Sequence, residues 1–408
     1  VDVIICDHHT PGEQLPPAYA ILNPKKEGCN YPFKELSGCG IGFKLTQALA
    51  EKVGLDDEVF LQNLDLVAIS AACDIVPLIG ENRLLVHEGM KRIEANPRIG
   101  IRKLLGEPVS DRTLTVTDLV FKIGPKINAA GRIDHGSGAV ELLIAQSDAE
   151  ALLLATEIEA NNETRKELDR SITEEAQSMI ENNPEWQQAK SAVLFSPDWH
   201  KGVVGIVASR VIETYYKPTI VLTQSDDKVV GSARSVYGFD VYQALCACEE
   251  ELIQFGGHKY AAGMTLLPEK VDSFRKRFEE VVSSTITDDQ LRPKLTIDLE
   301  LDFSMLTLSF LNTLKRMSPF GPANMKPVFM STNVRDTGNS RVVGADETHL
   351  KVELKQGDTV LQGIAFGMAD KLSLLQSGEA VDVAYTMEEN FWRGKRSLQL
   401  GIKDIRSH

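Results

Sequence analysis

The chain has 408 residues, 43% hydrophobic and 25% charged, with a formal net charge of −14. That length holds two to four domains with cores of their own, and no apolar run reaches the roughly eighteen residues a membrane span needs. The acidic balance argues against a surface coated for nucleic acid. It is uneven, though: residues 290–408 carry 15 Lys and Arg against 14 Asp and Glu, leaving 29 against 44 elsewhere. An acidic body can still hold a basic groove.

Six cysteines (Cys6, Cys29, Cys39, Cys73, Cys246, Cys248) form no CxxC pair, so a reducing cytoplasm is expected. The chain opens within a strand pattern and without a basic leader, so residues are expected ahead of Val1. That first pattern, Val3-Ile4-Ile5-Cys6, empties into Asp7-His8-His9. A short β-branched run ending in such a cluster reads as a buried parallel strand delivering ligands at its carboxyl end. Imidazole with carboxylate suits manganese, iron or zinc better than calcium. The same residues also read as a strand and a polar turn closed by Thr10-Pro11-Gly12.

A helix follows over Ser37–Val53, with Ile41, Leu45, Leu49 and Val53 on one face and Gly54 as its stop. A second, Asp57–Ala72, delivers Asp74, whose carboxylate is expected to be partly buried, near a metal or paired with a backbone amide or Arg83. Short helices at Glu81–Ala95 and Arg98–Leu105 precede Lys122–Arg132, read as an irregular Gly/Pro loop where Lys126, Asn128 and Arg132 present donors to a phosphate. Ser147-Asp148-Ala149-Glu150 is a capping box opening a helix that ends near Pro184. At roughly 50 Å this helix is read as a connector between domains.

A new α/β unit begins at Ser191. The turn Trp199-His200-Lys201-Gly202 before the helix Ile206–Tyr215 is a natural anion seat. Ser232-Ala233-Arg234 ends a strand, Asp240–Ile253 is a helix, and Gly256-Gly257-His258 follows. Paired glycines permit close backbone approach, and His258 with Arg234 could grip a phosphate. Cys246-x-Cys248 with His258 is rejected as a zinc site, because cysteines two apart on a helix point apart. After the helix Val271–Ile286 the pattern turns to short strands from Leu295 to Ile402, as in a small barrel. Trp392 and Arg393 lie at a hairpin tip that reads equally as a stacking platform for single strands or as plain exposed surface.

Asp7-His8-His9, Leu22-Asn23-Pro24, Tyr31–Gly38, Asp74, Gly124–Arg132, Trp199–Arg210, Ser232–Arg234, Gly256–Gly263 and Pro319–Pro327 together resemble the RecJ-type exonuclease branch of the DHH phosphoesterase family, in its order and over nearly the whole chain. The resemblance implies an α/β chain: a DHH-type parallel-sheet domain lacking its N-terminal strands (1–146), a long connecting helix (147–184), a second α/β, DHH-associated substrate domain (185–288) and an OB-like barrel (289–408). It implies metal-dependent 5′-to-3′ hydrolysis of single-stranded DNA, in repair and recombination, with Mn2+ or Mg2+ in a two-metal site. A single-strand-binding protein or a helicase would be its companion. His8 and Asp74 would be metal ligands, with Asp7 and His9 catalytic. Lys126, Asn128, Arg132, His200, Ser232, Arg234, Gly256, Gly257, His258, Trp392 and Arg393 would meet substrate. The family carries further metal-binding aspartates upstream of Asp-His-His, so the 408 residues alone are expected to bind metal weakly and to be inactive. The alternative is a DHH-type phosphodiesterase or phosphatase for short oligonucleotides or cyclic dinucleotides.

Overall fold

The computed structural model describes residues 1–12, 14–106, 114–133, 136–392 and 394–408, with Trp392 described for its backbone only. The chain forms two compact units. One comprises Val1–Pro97, Ser110–Val120 and Leu295–His408; the other comprises Arg98–Val109 and Phe121–Lys294.

In the first unit β1 (Ile4–Cys6) pairs in parallel with β2 (Ala20–Leu22). Helix α1 (Gly38–Val53) is capped by the Ser37 hydroxyl and ended by Gly54 at φ 71°, a left-handed position that favours glycine. The expected apolar stripe is only partly internal. Ile41 is buried, but Leu49 and Val53 are more than half exposed, and Phe43 and Ala50 take their place in the core. A row of residues four apart drifts by about 40° per step, so its far end leaves the interface.

The helix expected over Asp57–Ala72 breaks at Gln62-Asn63 into a single turn, Glu58–Leu61, and α2 (Leu64–Cys73), which hands over to Asp74 as its C-cap. Helix α3 (Gly80–Ala95) lies tight against α2, because a Cβ on Gly89 would sit 2.1 Å from the Leu64 carbonyl oxygen.

The second unit starts with α4 (Ile99–Leu105). The expected loop at 122–132 is instead helical: α5 runs Gly124–Ile133. A π turn over Leu119–Ile123 runs straight into α5, so Pro125 stands within a helical run just after the turn that accommodates the bond its missing N–H cannot make, and Ala129 and Ala130 pack inward. Helix α6 (Ser137–Ile144) crosses α4 at Gly100.

Helix α7 (Asp148–Glu181), 34 residues long, is an internal spine of this unit. Its start packs on α4, α5 and α6. Its end, through Ile172, Ala176 and Ile180, packs against β3 (Ala192–Phe195) and α8 (Val204–Tyr215). There follow β4 (Thr219–Ser225), β5 (Lys228–Arg234), α9 (Val241–Cys246), β6 (Gln254–His258), β7 (Ala261–Leu266) and α10 (Val271–Thr285). Helix α9 ends well before Ile253. Cys248 is buried in the core.

The strands order as β3-β4-β5-β7-β6, parallel only between β3 and β4. Side chains alternate across the sheet. Ile220, Leu222 and Ala233 meet α9 and α10 on one face, and Val221 meets α7 and α8 on the other.

Returning to the first unit, α11 (Leu308–Lys315) sits among seven strands: β8 (Leu299–Glu300), β9 (Phe329–Asp336), β10 (Arg341–Val343), β11 (His349–Gln356), β12 (Thr359–Ala365), β13 (Val381–Trp392) and β14 (Lys395–Ser407). The pairings β9-β13-β14-β12-β11 and back to β9 close a five-stranded barrel around Tyr385, Phe329 and Phe303. Closure removes the sheet edges that an open array would leave.

Candidate active site and strand-binding surface

In the first unit, β1 carries Asp7 into a turn. The Asp7 N–H donates to the Leu22 carbonyl at 3.0 Å, fixing the end of the strand. Asp7 Oδ1 accepts the His8 N–H at 2.7 Å, the His9 N–H at 3.2 Å and stands 2.8 Å from His9 Nδ1. Burial works to raise the Asp7 pKa, but the hydrogen bonds from His9 and His8 outweigh it and hold the carboxyl below its ordinary value. With Nδ1 committed, His9 leaves Nε2 free on a ring 68% exposed. Asn23 donates to the His9 carbonyl at 2.8 Å and steadies the same turn. Sequence reasoning gave Asn23 no such role, since only the fold brings β2 alongside.

His8 points elsewhere. Its ring is 16% exposed and passes the Gly38 backbone, where a Cβ would stand 3.7 Å from Cδ2. Its Nε2 lies 3.1 Å from Asp74 Oδ2. The Asp74 carboxylate is 42% exposed, more open than expected. Arg83 is not its partner, for the Arg83 guanidinium donates to the carbonyls of Arg316, Met317 and Ser318 beyond α11. Ile75, directly after Asp74, takes φ 58°, a left-handed conformation rare for a β-branched residue. The ligand atoms of Asp7, His8 and His9 lie within 4.8 Å of one another.

The donor set fits a divalent cation. Two ligands at right angles, each about 2.1 Å from an octahedral ion, stand about 3.0 Å apart. That matches the His8–Asp74 separation.

The second unit presents a trough on the α8 face of its sheet. Ser232, Gly263 and Gly256 lie in register across β5, β7 and β6, and so do Arg234, Ala261 and His258. Directly opposed residues share a face, so Ser232 and Arg234 stand on one side, His258 on the other, with glycine and alanine as a floor. Gly257 faces the other way and takes φ 149°, its backbone against Ala262.

The Arg234 guanidinium donates to Ser232 Oγ at 2.7 Å and to the Ala233 carbonyl. Burial and the neighbouring Arg132 guanidinium lower its pKa. Arg132 in turn is lowered by burial and by Arg165, and donates to the Gly202 carbonyl at 2.8 Å. His200 Nδ1 accepts the Gly202 N–H at 3.1 Å, so its ring braces that turn.

Gly205, on the first turn of α8, makes room for the arginine: a Cβ there would stand 3.0 Å from Arg234 Nη2. Sequence reasoning passed over this glycine, as it did Ala261 and Gly263. Their signal, small residues at alternate strand positions, needs the register to be seen.

Lys126 is not available to a substrate in this arrangement. Its ammonium donates to the Leu104 carbonyl at 3.0 Å and pairs with Glu159 at 2.7 Å, holding α5 to α4 and α7. Asn128 and Arg132 line a cleft of about 400 Å³ with Ile127, Ala139 and Leu143. The Trp392 side chain and Arg393 lie outside the described residues; the strand β13 does run to that hairpin.

Three family models match: the DHH family N-terminal domain over residues 1–70, the DHHA1 domain over 188–284 and the RecJ OB domain over 297–404. The single-stranded-DNA-specific exonuclease RecJ of Dickeya dadantii (strain 3937) is 37% identical over 427 residues, covering 99% of this chain and 73% of that protein. The chain belongs to the RecJ family.

The RecJ of Bacillus subtilis (strain 168) is likewise 37% identical over 99% of the chain, which spans 51% of that relative. The crystal structure of RecJ in complex with Mn2+ from Thermus thermophilus matches with a TM-score of 0.85 at 30% identity, covering 100% of this chain and 58% of that one. The RecJ-family α/β architecture of DHH, DHHA1 and OB domains is therefore present, although the chain spans only about half of some relatives. Among the described residues no helix is long and apolar enough to cross a membrane.

Proposed function

We propose that the chain is the Asp-His-His-bearing part of a metal-dependent exonuclease that removes nucleotides from single-stranded DNA in the 5′-to-3′ direction, in repair and recombination. The carrying observation is the approach of His8 Nε2 and Asp74 Oδ2 to 3.1 Å beside the Asp7–His9 pair. Relatives named single-stranded-DNA-specific exonuclease, and RecJ structures holding Mn2+ and Mg2+, support the same reading.

His8 and Asp74 would hold a Mn2+ or Mg2+ ion. A bound divalent cation neutralises charge on the phosphate oxygens and activates the attacking water. Asp7 orients His9, whose outward Nε2 contacts the scissile phosphate and can move a proton there. Arg132, Ser232, Arg234 and His258 hold the strand backbone over the floor of Gly256 and Gly263. The barrel supports long single strands over the short-oligonucleotide alternative. A helicase or single-strand-binding protein would supply such strands, and a reducing cytoplasm suits six free cysteines.

Among the described residues, Asp7 beside His9 and Asp74 against His8 are the carboxylates placed here. A pair of metals about 3.5–4 Å apart takes more bridging carboxylates than that. The 408 residues alone are therefore expected to bind metal weakly or not at all and to be inactive. The test is manganese-dependent release of nucleotides from 5′-phosphorylated single strands, by this chain and by its fusion to the upstream acidic strands of a RecJ relative. The fusion should turn over where this chain does not, and His9→Ala should lower its rate by about 10²–10⁴. A fusion that binds manganese and single strands but hydrolyses nothing would overturn the proposal.

A further inference from the structure

We propose that Tyr237 and Tyr260 form a nucleobase-stacking rim at the end of the trough, which takes a base of the strand whose phosphate lies between Arg234 and His258. The inference rests on the strand-binding reading above and adds a base-binding subsite to it. Arg234 and His258 both oppose Ala261, one across each edge of β7, which sets their backbones roughly 10 Å apart. Tyr237 follows Arg234 by three residues and Tyr260 follows His258 by two, so both aromatics leave the sheet at this same end.

Tyr237 is 73% exposed and Tyr260 43% exposed, yet the loops that carry them are held firmly. The Ser235 N–H donates to the Tyr260 carbonyl at 3.1 Å, and the Val241 N–H to the Lys259 carbonyl at 2.9 Å. The Gly238 N–H approaches the Tyr260 hydroxyl at 3.4 Å, while Gln290 Nε2 donates to the Gly238 carbonyl at 2.8 Å. Val236 and Phe239, on either side of the exposed ring, are buried as anchors. A pinned loop that buries its neighbours and leaves a large aromatic in water has fixed in advance the backbone from which that ring projects. Stacking on it then costs little conformational entropy.

The chemistry of the rim favours a base over an apolar side chain. The Lys259 ammonium stands 5.5 Å from the Tyr260 ring centroid, so a cation and a π face are offered together, as on single-strand platforms. The nearest acid in the loop, Asp240, is occupied as the N-cap of α9, accepting the Gln243 N–H at 3.1 Å.

Equilibrium binding of the whole chain to a labelled, 5′-phosphorylated oligothymidylate, compared with a strand of the same length bearing abasic sites, tests the rim. Tyr237→Ala and Tyr260→Ala should each weaken binding of the intact strand about tenfold. Tyr237→Phe and Tyr260→Phe should bind as wild type, and none of the four should change binding of the abasic strand. Alanine variants that bind the intact strand unchanged overturn the rim, as does an equal loss on the abasic strand. Wild type that binds neither strand overturns the strand-binding reading itself, and the rim with it. Thermal unfolding of each variant keeps misfolding apart from these outcomes.

Discussion

His8 Nε2 and Asp74 Oδ2 meet at 3.1 Å although their residues are far apart in the chain. Strand β1 delivers one and the C-terminus of α2 the other, and the His8 ring passes beside the Gly38 backbone. If the pair is a cation seat, manganese affinity must fall when either donor is removed. Asp74→Asn and His8→Gln should each weaken Mn2+ binding at least tenfold, the lower end of what even outer-sphere partners of a metal contribute. Titration calorimetry reads the change directly. Equal affinity in wild type and Asp74→Asn would leave the contact as a structural ion pair.

The adjacent Asp7–His9 pair predicts a separate behaviour. Asp7 Oδ1 gathers three contacts from the next two residues, so its work is to fix the turn and aim the His9 ring. In the fusion carrying the upstream strands, His9→Ala should lower kcat by about 10²–10⁴, the usual range for a lost proton-transfer group. Strand affinity should hold. Asp7→Asn should lower kcat less, and metal binding should survive His9→Ala. A rise in KM with kcat intact would instead place His9 in ground-state binding.

Much of this was legible from residues alone. The Asp-His-His cluster stood out through its resemblance to the family, since the three residues alone read equally as a strand and a polar turn, and the barrel because short strands recur with a single helix read among them. The loop reading of Lys122–Arg132 failed because Gly and Pro usually punctuate loops, while here a π turn over Leu119–Ile123 carries the helix through Gly124-Pro125 and Ala129 and Ala130 pack inward. Lys126 was read as a phosphate donor, since a lysine on a suspected loop gives no sign that Leu104 and Glu159 will claim it. Gly205 and Gly263 matter through neighbours across the sheet and helix, which no local pattern encodes.

Two glycines should separate function from stability. On Gly205 a Cβ would press Arg234 Nη2 at 3.0 Å and Ser232 Oγ at 3.1 Å, both ends of side chains that can yield. Gly205→Ala should therefore fold normally and weaken single-strand binding through a displaced guanidinium. On Gly100 the Cβ would meet the Leu142 carbonyl oxygen at 2.1 Å, which is backbone and cannot turn aside. Gly100→Ala should destabilise by about 1–3 kcal/mol or more, as overpacking does. Chemical denaturation and strand binding, measured on both variants, should show opposite patterns; matching patterns would remove the distinction.

Two tyrosines make the first unit sensitive to alkali. Burial, then the hydrogen bond to Glu81, pushes Tyr31 up to about 12, and burial raises Tyr385 to about 12 despite the Ser331 hydroxyl 2.7 Å away. For an acid whose folded pKa lies above its unfolded value near 10, the neutral form favours folding. The stabilisation is complete below pH 10 and is lost as pH rises toward 12. Spectrophotometric titration of phenolate should then show a late phase coupled to unfolding. Tyr31→Phe should leave one fewer tyrosine in the late phase. It should also flatten the fall in stability between pH 10 and 12, because a phenyl ring has no proton to lose there. A fall as steep as in wild type would mean that Tyr31 ionises alike in the folded and unfolded chain.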